Sequence, residues 1–439
     1  MAREYKDSGI EWIGQIPKEW DMAAIKRLMC LYAGATPKSD DVELWNGNIP
    51  WITPADYKTE DVFVSQGRRS ISEKGLHSCA TTILPVNSIV FSKRAPIGLV
   101  VLNSVPLCTN QGCIGCVPKD NATLSKYYYY VLSAFTEQFE LYGAGTTFKE
   151  ISATNFSNFI VCIPPLSTQQ KIADYLDKVC GEVDEMVALQ ETMIEELKAY
   201  KQSVITEAVT KGLNPSAPMR NSGIDWIGEI PEHWGMQKMN RICSIITDFV
   251  ASGSFESLRL NVPYLDEPDY AMLVRTADLS GSARSSGKVY ISKDSYDFLR
   301  NSNLYGGEIV LPNIGASVGD VYIVPHLYEH MSLAPNSIMF KTVYCDKYYY
   351  YYYFSKAGKE SIFDINKSTA QGKFNKTELR NVVVCVPPIS EQQQIATYLE
   401  TKCSKIDSLI ALKQAKIEEL KEYKKSIIYE YVTGKKEVC

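Results

Sequence analysis

The chain has 439 residues, of which 45% are hydrophobic and 22% are charged, a composition typical of a folded protein with about two to four domains. No run approaches the ~20 apolar residues needed to span a bilayer, and no apolar segment follows the charged first residues, so we expect a cytoplasmic protein without a membrane anchor. The net charge of −5 does not indicate nucleic-acid binding. It does not exclude it either, because a near-neutral domain can present a local basic face.

An internal repeat divides the sequence into shared and unlike parts. Three segments return later in the chain, with nine of thirteen, nine of thirteen and twelve of nineteen positions identical. The stretches 21–163 and 235–386 between them differ in sequence, and by nine residues in length. We interpret the repeats as a shared scaffold and the two stretches as inserts that do similar jobs on different targets. The repeated segments are residues 8–20 and 222–234, 164–176 and 387–399, and 194–212 and 417–435.

Both inserts are predicted to be rich in strands, with short helices. Apolar strands at 88–92 and 308–312 are each followed by a glycine turn, at Gly98 and Gly319. A second apolar stretch comes directly after each turn, which predicts the same hairpin in both inserts.

Two residue clusters in the inserts each admit two interpretations. The tyrosine runs 127–130 and 348–353 are interpreted as helices with a thick aromatic collar, and the alternative is a base-stacking platform. The spacing of Cys108, Cys113 and Cys116 is that of the start of a plant-type iron–sulfur site. Their apolar neighbours favour buried core cysteines, and a metal site is the alternative.

The later repeated segments predict one long helix in each half. A capping box at Ser167 and Gln170, repeated at Ser390 and Gln393, predicts where each helix begins. No proline intervenes before Pro215, so the first helix is expected to run for about 45 residues. Apolar residues at alternating steps of four and three, interrupted by Gln190, predict a heptad seam. The seam residues of the first helix are Ile172, Leu176, Val179, Val183, Met186, Met193, Leu197, Tyr200 and Val204.

The two helices are expected to pair with each other in antiparallel orientation. Residues 163–212 carry 5 basic and 9 acidic residues, whereas 386–439 carry 9 basic and 8 acidic residues, so their charges are complementary. Only about ten residues link the first helix to the second insert, which requires the second helix to return. The predicted fold is α+β: two globular α/β domains separated by two long antiparallel coiled-coil helices, related by a pseudo-twofold axis. The alternative is that each helix packs alone on its own domain.

These motifs together resemble the specificity subunits of type I restriction–modification enzymes. The resemblance covers residues 5–435 and lies in the tryptophan-rich opening SGI-[ED]-WIG-x-IP-x-x-W, the helix start PP-[LI]-S-x-QQ-x-IA-x-YL and the helix EELK-x-YK-x-S-[VI]-I. Shorter matches occur at 49–56, 94–98, 109–112 and 145–147. No single motif is specific, but their combination is.

The resemblance implies a DNA-recognition subunit without chemistry of its own. It implies two target recognition domains, each reading one half of an asymmetric, two-part site in double-stranded DNA. In the family the helices set the spacing and dock two methyltransferase subunits, and restriction subunits then join. S-adenosylmethionine, ATP and Mg²⁺ belong to those partners, so no cofactor is expected in this chain. The implied boundaries are 1–163 and 213–386 for the target recognition domains, with a linker at 213–221, and 164–212 and 387–435 for the spacer helices.

The sequence agrees with a non-catalytic role. It has no Asp/Asn-Pro-Pro-aromatic loop for an amino-methyltransferase and no phosphate-binding G-x-x-x-x-G-K-[ST] loop. One alternative is a metal-dependent nuclease, suggested by Asp56 and Lys58 with Glu43 or Glu60 nearby. A second alternative is a coiled-coil scaffold that does not bind DNA.

Direct readout of DNA is expected from Arg, Lys, Asn, Gln, Ser or Thr side chains on exposed turns that can reach a groove. Fifteen such residues are predicted, eight in the first insert and seven in the second. They are Lys38, Arg68, Arg69, Lys93, Arg94, Gln111, Thr146, Lys149, Arg275, Arg284, Lys288, Ser317, Lys373, Asn375 and Lys376.

Overall fold

A computed structural model describes residues 3–143, 149–280, 287–366 and 372–438. The chain divides into two compact units, one made of residues 1–191 with 415–439 and the other of residues 192–414. Each unit therefore contains one insert together with the beginning of one long helix and the end of the other. The predicted α+β organisation with two domains and two long helices is confirmed.

The first unit is built on two small sheets. Its strands are β1 (Tyr5–Asp7), β2 (Gln15–Pro17), β3 (Asp21–Ala24), β4 (Met29–Ala33), β5 (Trp45–Ile52), β6 (Phe63–Val64), β7 (Arg69–Ile71), β8 (Ile89–Ser92), β9 (Val100–Asn103), β10 (Cys108–Thr109), β11 (Cys113–Pro118) and β12 (Ile160–Ile163). One sheet has the strand order β4-β11-β8-β9-β6, antiparallel except for the β6–β9 pair, and the other has the order β10-β5-β7 with β10 parallel to β5. Its helices are α1 (Ile25–Leu28), α2 (Glu73–His77), α3 (Ser125–Ala134), α4 (Thr136–Leu141), α5 (Ala153–Asn158) and the long α6 (Leu166–Lys211), which continues into the second unit.

The second unit repeats this plan with different strands. Its strands are β13 (Met219–Asn221), β14 (Glu229–Pro231), β15 (Gly235–Lys238), β16 (Cys243–Asp248), β17 (Ala271–Val274), β18 (Tyr290–Ile291), β19 (Asn303–Leu304), β20 (Ile309–Pro312), β21 (Tyr322–Ile323), β22 (Met331–Leu333), β23 (Ser337–Thr342) and β24 (Val383–Val386). An antiparallel sheet has the order β16-β23-β20-β21, and a second sheet has the order β18-β17-β22-β19 with β17 parallel to β22. Its helices are α7 (Met239–Ile242), α8 (Phe255–Asn261), α9 (Thr276–Ser280), α10 (Lys293–Phe298), α11 (Asp346–Phe354), α12 (Lys356–Ile365), α13 (Lys376–Asn381) and the long α14 (Ile389–Val432), which ends in the first unit.

The hairpin predicted in both inserts is present. Strands β8 and β9 pair antiparallel, and so do β20 and β21. Gly98 and Gly319 have φ angles of +89° and +99°, a conformation that L side chains rarely adopt. The turn therefore requires glycine in both units.

The tyrosine runs form the junction between each insert and the long helices. Tyr127 and Tyr348 are fully buried in the main core of their units, which confirms the aromatic collar. The Tyr127 hydroxyl donates to the carbonyl of Val432 at 2.9 Å, and the Tyr348 hydroxyl donates to the carbonyl of Val209 at 2.9 Å. Each collar thus holds the last turn of the long helix that began in the other half of the sequence.

The long helices run antiparallel within each unit. In the first unit the rings of Tyr175 and Tyr431 lie 4.5 Å apart and Lys424 is 2.6 Å from Asp184, so residue numbers rise on one helix as they fall on the other. In the second unit Lys201 lies 2.7 Å from Asp407, and the Lys413 ammonium lies 3.0 Å from the sulfur of Met193. The predicted antiparallel pairing is confirmed in both units.

The predicted heptad seam is wrong at two positions. Met186 and Tyr200 are 51% and 48% exposed. The buried residues Val183, Ile194 and Ile205 instead follow one another at steps of eleven. A straight α-helix drifts by about 20° per seven residues on a heptad step, and by about 20° in the opposite sense per eleven residues on the longer step. The drift over a given length is therefore smaller for the longer step, which keeps the side chains closer to one face. The second helix repeats this step at Ile406, Ile417 and Ile428.

The predicted capping boxes do not form in the described residues. The first helix starts one residue earlier, at Leu166, and Gln170 donates to Asp174 within the helix at 2.8 Å. The neighbouring Gln169 is buried and donates to the carbonyl of Pro164 at 2.9 Å. Gln392 makes the equivalent bond to Pro387 at 2.8 Å.

Candidate nucleic-acid interface

Loops that connect the two sheets of the first unit meet in one cluster. Ala35 and Asn110 donate backbone hydrogen bonds to Thr109 and Ile52, and Lys93 N–H donates to the carbonyl of Gly112 at 2.9 Å. Segments far apart in sequence are thereby held together. We call this set the first loop cluster, consisting of residues 34–38, 53–56, 67–69, 93–94, 110–112 and 149–150.

Two arginines of the first loop cluster are exposed, and each guanidinium contacts a neighbouring residue that fixes its position. The side chain of Arg68 is 78% exposed, and its guanidinium donates to the carbonyl of Ala55 at 3.1 Å. The guanidinium of Arg69 lies 3.3 Å above the ring centre of Trp45, and the indole N–H of Trp45 donates to the carbonyl of Lys38. Both cations remain accessible on a fixed backbone, as contacts to phosphate require.

A carboxylate joins two of the predicted DNA-binding cations. Glu150 accepts from Lys93 and from Arg94, each at 2.8 Å, and the Lys93 side chain is only 17% exposed. Burial by itself raises the pKa of Glu150, but the hydrogen bonds from the two cations outweigh it and lower the pKa below its ordinary value. Glu150 is therefore ionised near neutral pH.

The remaining predicted residues of the first insert are less constrained. Gln111 is exposed, and its amide oxygen accepts a hydrogen bond from the hydroxyl of Thr36. Lys149 is exposed next to Glu150. Thr146 lies outside the described residues.

The second unit brings corresponding loops together around a cleft. Asn313 N–H donates to the carbonyl of Asn336 at 3.0 Å, and Gly315 N–H donates to Gly372 at 3.0 Å. The cleft has a volume of about 410 Å³, and Arg275 and Ser317 are among its lining residues. We call this set the second loop cluster, consisting of residues 275–278, 287–288, 312–317, 334–337 and 372–376.

Several predicted residues of the second insert are engaged within the protein. Arg275 donates twice to the buried carboxylate of Asp278, at 3.0 Å each. Lys376 pairs with Asp248 at 2.8 Å. The side-chain oxygen of Asn375 caps helix α13 by accepting from two backbone N–H groups, so only its amide N–H₂ remains to contact a base.

Two lysines of the second loop cluster, Lys288 and Lys373, are exposed. Arg284 lies outside the described residues. The loops thus place the described candidates of each unit in one cluster, but only some of those side chains face solvent as unpaired donors.

The carboxylates considered for a nuclease do not converge. The Asp56 side chain is 4% exposed and accepts from the backbone and hydroxyl of Thr53, at 2.7 Å each. Glu43 instead pairs with Lys74. Among the described residues, no group of three His, Cys, Asp or Glu side chains could hold a metal ion.

The three clustered cysteines lie in the core. Cys108, Cys113 and Cys116 are fully buried. Burial raises the pKa of Cys108 to about 11 and that of Cys113 to about 12, so both thiols are protonated and weakly reactive.

Within the part of the chain that the structure describes, no helix is both long and apolar enough to cross a membrane.

The two units share one framework, and each has its own loop cluster. This arrangement is that of a protein with two separate recognition surfaces. A family model described as the type I restriction modification DNA specificity domain matches residues 17–199 and 245–422. The two matches cover most of the sequence, and the chain belongs to this family of DNA specificity subunits.

Named relatives agree with this membership. The chain is 37% identical over 199 residues to the type I restriction enzyme MjaIX specificity subunit of Methanocaldococcus jannaschii, covering 43% of this chain and 45% of that protein. It is 30% identical over 183 residues to the EcoR124I/EcoR124II specificity subunit of Escherichia coli, covering 40% of this chain and 42% of that protein. These two alignments span less than half of each relative. A 25% identical match to the putative MjaX specificity subunit of M. jannaschii covers 96% of this chain and 95% of that one.

Solved structures share the fold over nearly the whole chain. A chain from a structure on complex assembly and conformational transition of the type I R-M system superposes with a TM-score of 0.71 at 12% identity, covering 95% of this chain and 98% of that one. The crystal structure of the HsdS subunit from Thermoanaerobacter tengcongensis gives a TM-score of 0.52 at 14% identity, with the same coverage.

Two residues that contact cations of the first loop cluster were missed by the sequence prediction. Trp45 supports Arg69, and Glu150 binds Lys93 and Arg94. The prediction considered only Arg, Lys, Asn, Gln, Ser and Thr on exposed turns, so it passed over a carboxylate and a buried indole. The pairing of Arg94 with Glu150 joins residues 56 positions apart, and no local pattern indicates it.

Proposed function

We propose that this chain reads a bipartite, asymmetric site in double-stranded DNA, one half with each loop cluster. The observation that carries this proposal is that both units share one framework but differ in the side chains that their loops present. We assign the target recognition domains to residues 1–163 and 213–386 and the spacer helices to 164–212 and 387–435. A protein that reads a palindromic site, whose two halves are identical, would need two like clusters.

The chain directs other subunits rather than performing chemistry. Membership of the specificity family supports assembly with two methyltransferase subunits and with restriction subunits. S-adenosylmethionine, ATP and Mg²⁺ would then be bound by those partners in the cytoplasm.

Among the predicted DNA-binding residues we favour different roles for different groups. Lys38, Arg68, Lys149 and Lys288 are exposed cations suited to phosphate contacts, which position the protein without reading sequence. Lys93, Arg94 and Gln111 lie where three segments of the first loop cluster meet, and are suited to a groove. The corresponding part of the second loop cluster contains Arg275, Ser317 and Lys373, which are suited to the same role.

The test is an exchange of one insert. Residues 21–162 are replaced by the corresponding insert of a relative, and the methylated adenines of a host that also expresses the methyltransferase subunit are mapped. Only one half of the methylated site should change, and the matched exchange of residues 235–386 should change only the other half. A change in both halves after either exchange contradicts the two-reader proposal.

A gel-shift experiment separates DNA recognition from a scaffold role. The chain together with its methyltransferase partner should retard duplex DNA that carries the mapped site in preference to a scrambled duplex. Retardation of neither duplex would favour the scaffold, and equal retardation of both would contradict sequence-specific recognition.

A further inference from the structure

One backbone position in the first loop cluster is fixed by three neighbouring contacts. Lys93 N–H donates to the carbonyl of Gly112 at 2.9 Å, and Ile151 N–H donates back to the carbonyl of Lys93 at 3.0 Å. Between these bonds, Arg94 and Glu150 form an isolated antiparallel β-bridge. The carboxylate is thus anchored through its backbone on the segment that precedes the glycine turn.

The second loop cluster contains the same three contacts. Asn313 N–H donates to the carbonyl of Asn336 at 3.0 Å, and Phe374 N–H donates back to the carbonyl of Asn313 at 3.1 Å. Ile314 and Lys373 form the isolated antiparallel β-bridge. Lys373 therefore occupies in the second unit the backbone position that the carboxylate occupies in the first, with the opposite charge.

The surroundings of Glu150 prepare it to accept further hydrogen bonds. Lys93 and Arg94 each bind a different oxygen of the carboxylate, and the side chain remains 32% exposed. A carboxylate offers about four acceptor sites, so acceptor capacity remains beyond these two bonds. The three side chains together carry a net charge of +1, so this acceptor can approach the phosphate backbone without the repulsion that an isolated carboxylate would meet.

We infer that Glu150 is a specificity-determining residue, whose carboxylate accepts a hydrogen bond from an exocyclic amino group in the major groove of one half-site. The amino groups available there are those of cytosine and adenine, and carboxylates pair with the amino group of cytosine. Lys93 and Arg94 are the positioning residues that orient the carboxylate. Lys373, at the equivalent position of the second unit, is a hydrogen-bond donor and matches the acceptor edge of guanine. The same backbone position thus presents an acceptor in the first unit and a donor in the second.

A simpler role for Glu150 is to neutralise Lys93 and Arg94, which would then contact phosphates. The two roles differ in what a loss of charge does. Without a neutralising carboxylate, affinity for every DNA sequence rises and depends more steeply on salt. If the carboxylate reads a base, its removal abolishes discrimination at one base pair. The salt dependence of binding is then set by Lys93 and Arg94 alone.

The inference rests on the proposed function and is tested with Glu150→Gln and Glu150→Ala in the full chain, co-expressed with the methyltransferase subunit. The methylated sites of the host genome are read for the wild type first. Glu150→Ala should lower discrimination at one position of one half-site by roughly 5- to 160-fold, the usual cost of one mismatched pair, and leave the other half-site unchanged. Glu150→Gln keeps the shape of the side chain and should alter the preference at the same position.

Two controls bracket this result. Lys373→Ala should change a position in the other half-site only, and Glu43→Gln, which alters an exposed carboxylate paired with Lys74, should leave the site unchanged. An unchanged methylated site in both Glu150 variants, with tighter binding to all DNA, overturns the inference and assigns the neutralising role. If the wild-type chain itself directs no site-specific methylation, it is the proposed function that fails.

Discussion

The two units are alike where the inserts meet the long helices and unlike where the loops cluster. At the junctions the tyrosine–carbonyl bonds are the same length, and the hydroxyls of Tyr128 and Tyr349 bond the carbonyls of Cys162 and Cys385 at 3.4 and 3.5 Å. In the loop clusters the backbone hydrogen bonds are kept, but an acidic side chain in one unit corresponds to a lysine in the other. The difference indicates that the framework is constrained by packing, and that the loops are free to diverge with the target.

The largest effect is expected at the aromatic junction. Tyr127→Ala and Tyr348→Ala each remove a fully buried ring and should lower the free energy of unfolding by about 3–5 kcal/mol, measured by denaturant titration. Tyr353→Phe is the control, because the Tyr353 hydroxyl is buried and has no hydrogen-bond partner among the described residues. Its removal should cost nothing measurable. Very different costs for the two alanine variants would show that the junctions are not equivalent.

A smaller effect should distinguish the two buried glutamines at the helix starts. Gln169 makes hydrogen bonds with the backbone of Leu124, Ala122 and Pro164, whereas Gln392 bonds two such groups. Truncation to alanine leaves those groups unsatisfied, at about 1–3 kcal/mol. We expect Gln169→Ala to destabilise more than Gln392→Ala in thermal unfolding, and the reverse order would contradict this account.

Binding should separate exposed cations from cations that are half-buried and closely paired. Arg68→Ala removes a guanidinium that is 78% exposed and lies 3.8 Å from Asp56. It should weaken binding to all DNA sequences, lowering the slope of log affinity against log salt by about 0.9 for one phosphate contact. Lys376→Ala removes an ammonium that is paired with Asp248 and should leave the slope unchanged. Filter binding of the assembled methyltransferase over a salt series measures both slopes. Equal slopes for Arg68→Ala and the wild type would remove Arg68 from the interface.

The smallest effect concerns acid stability of the first loop cluster. The pKa of Glu150 is below its ordinary value of 4.5 because the hydrogen bonds from Lys93 and Arg94 outweigh the effect of burial. A carboxyl with a lowered folded-state pKa contributes stability above its unfolded pKa, and that contribution is lost as the pH falls through the folded value. The stability difference between wild type and Glu150→Gln should therefore shrink below about pH 4.5. A difference that stays constant down to pH 3 would argue against these ion pairs.

The shared framework could be predicted from the sequence because its segments occur twice in the chain. The repeated segments indicated the long helices, and the short linker between them indicated the antiparallel return. The common hairpin was indicated by apolar strands around a glycine turn in each insert. The seam failed at Met186 and Tyr200, because a heptad count ignores the drift of a straight helix. The capping box failed because Gln169, not Gln170, faces the preceding strand. The bridge between Arg94 and Glu150 depends on how distant loops meet, which local patterns do not encode.

The exchange of helix ends between the two halves has a consequence for the origin of the chain. A half-chain of residues 1–212 would lack the end of α14, which fills the junction of the first unit through Ile428 and Tyr431. Its own helix end carries Ile205 and Ala208 at the repeat-equivalent positions. Two copies could thus exchange ends and form a dimer that reads a palindrome, as expected of an ancestor before duplication.

That dimer should be weak, because alanine leaves the site of a tyrosine ring unfilled. In the half-chain, Ala208→Tyr should restore the ring that packs against Tyr175 and tighten the dimer. Light scattering over a concentration series measures this, and a half-chain that stays monomeric with either residue would count against a symmetric ancestor.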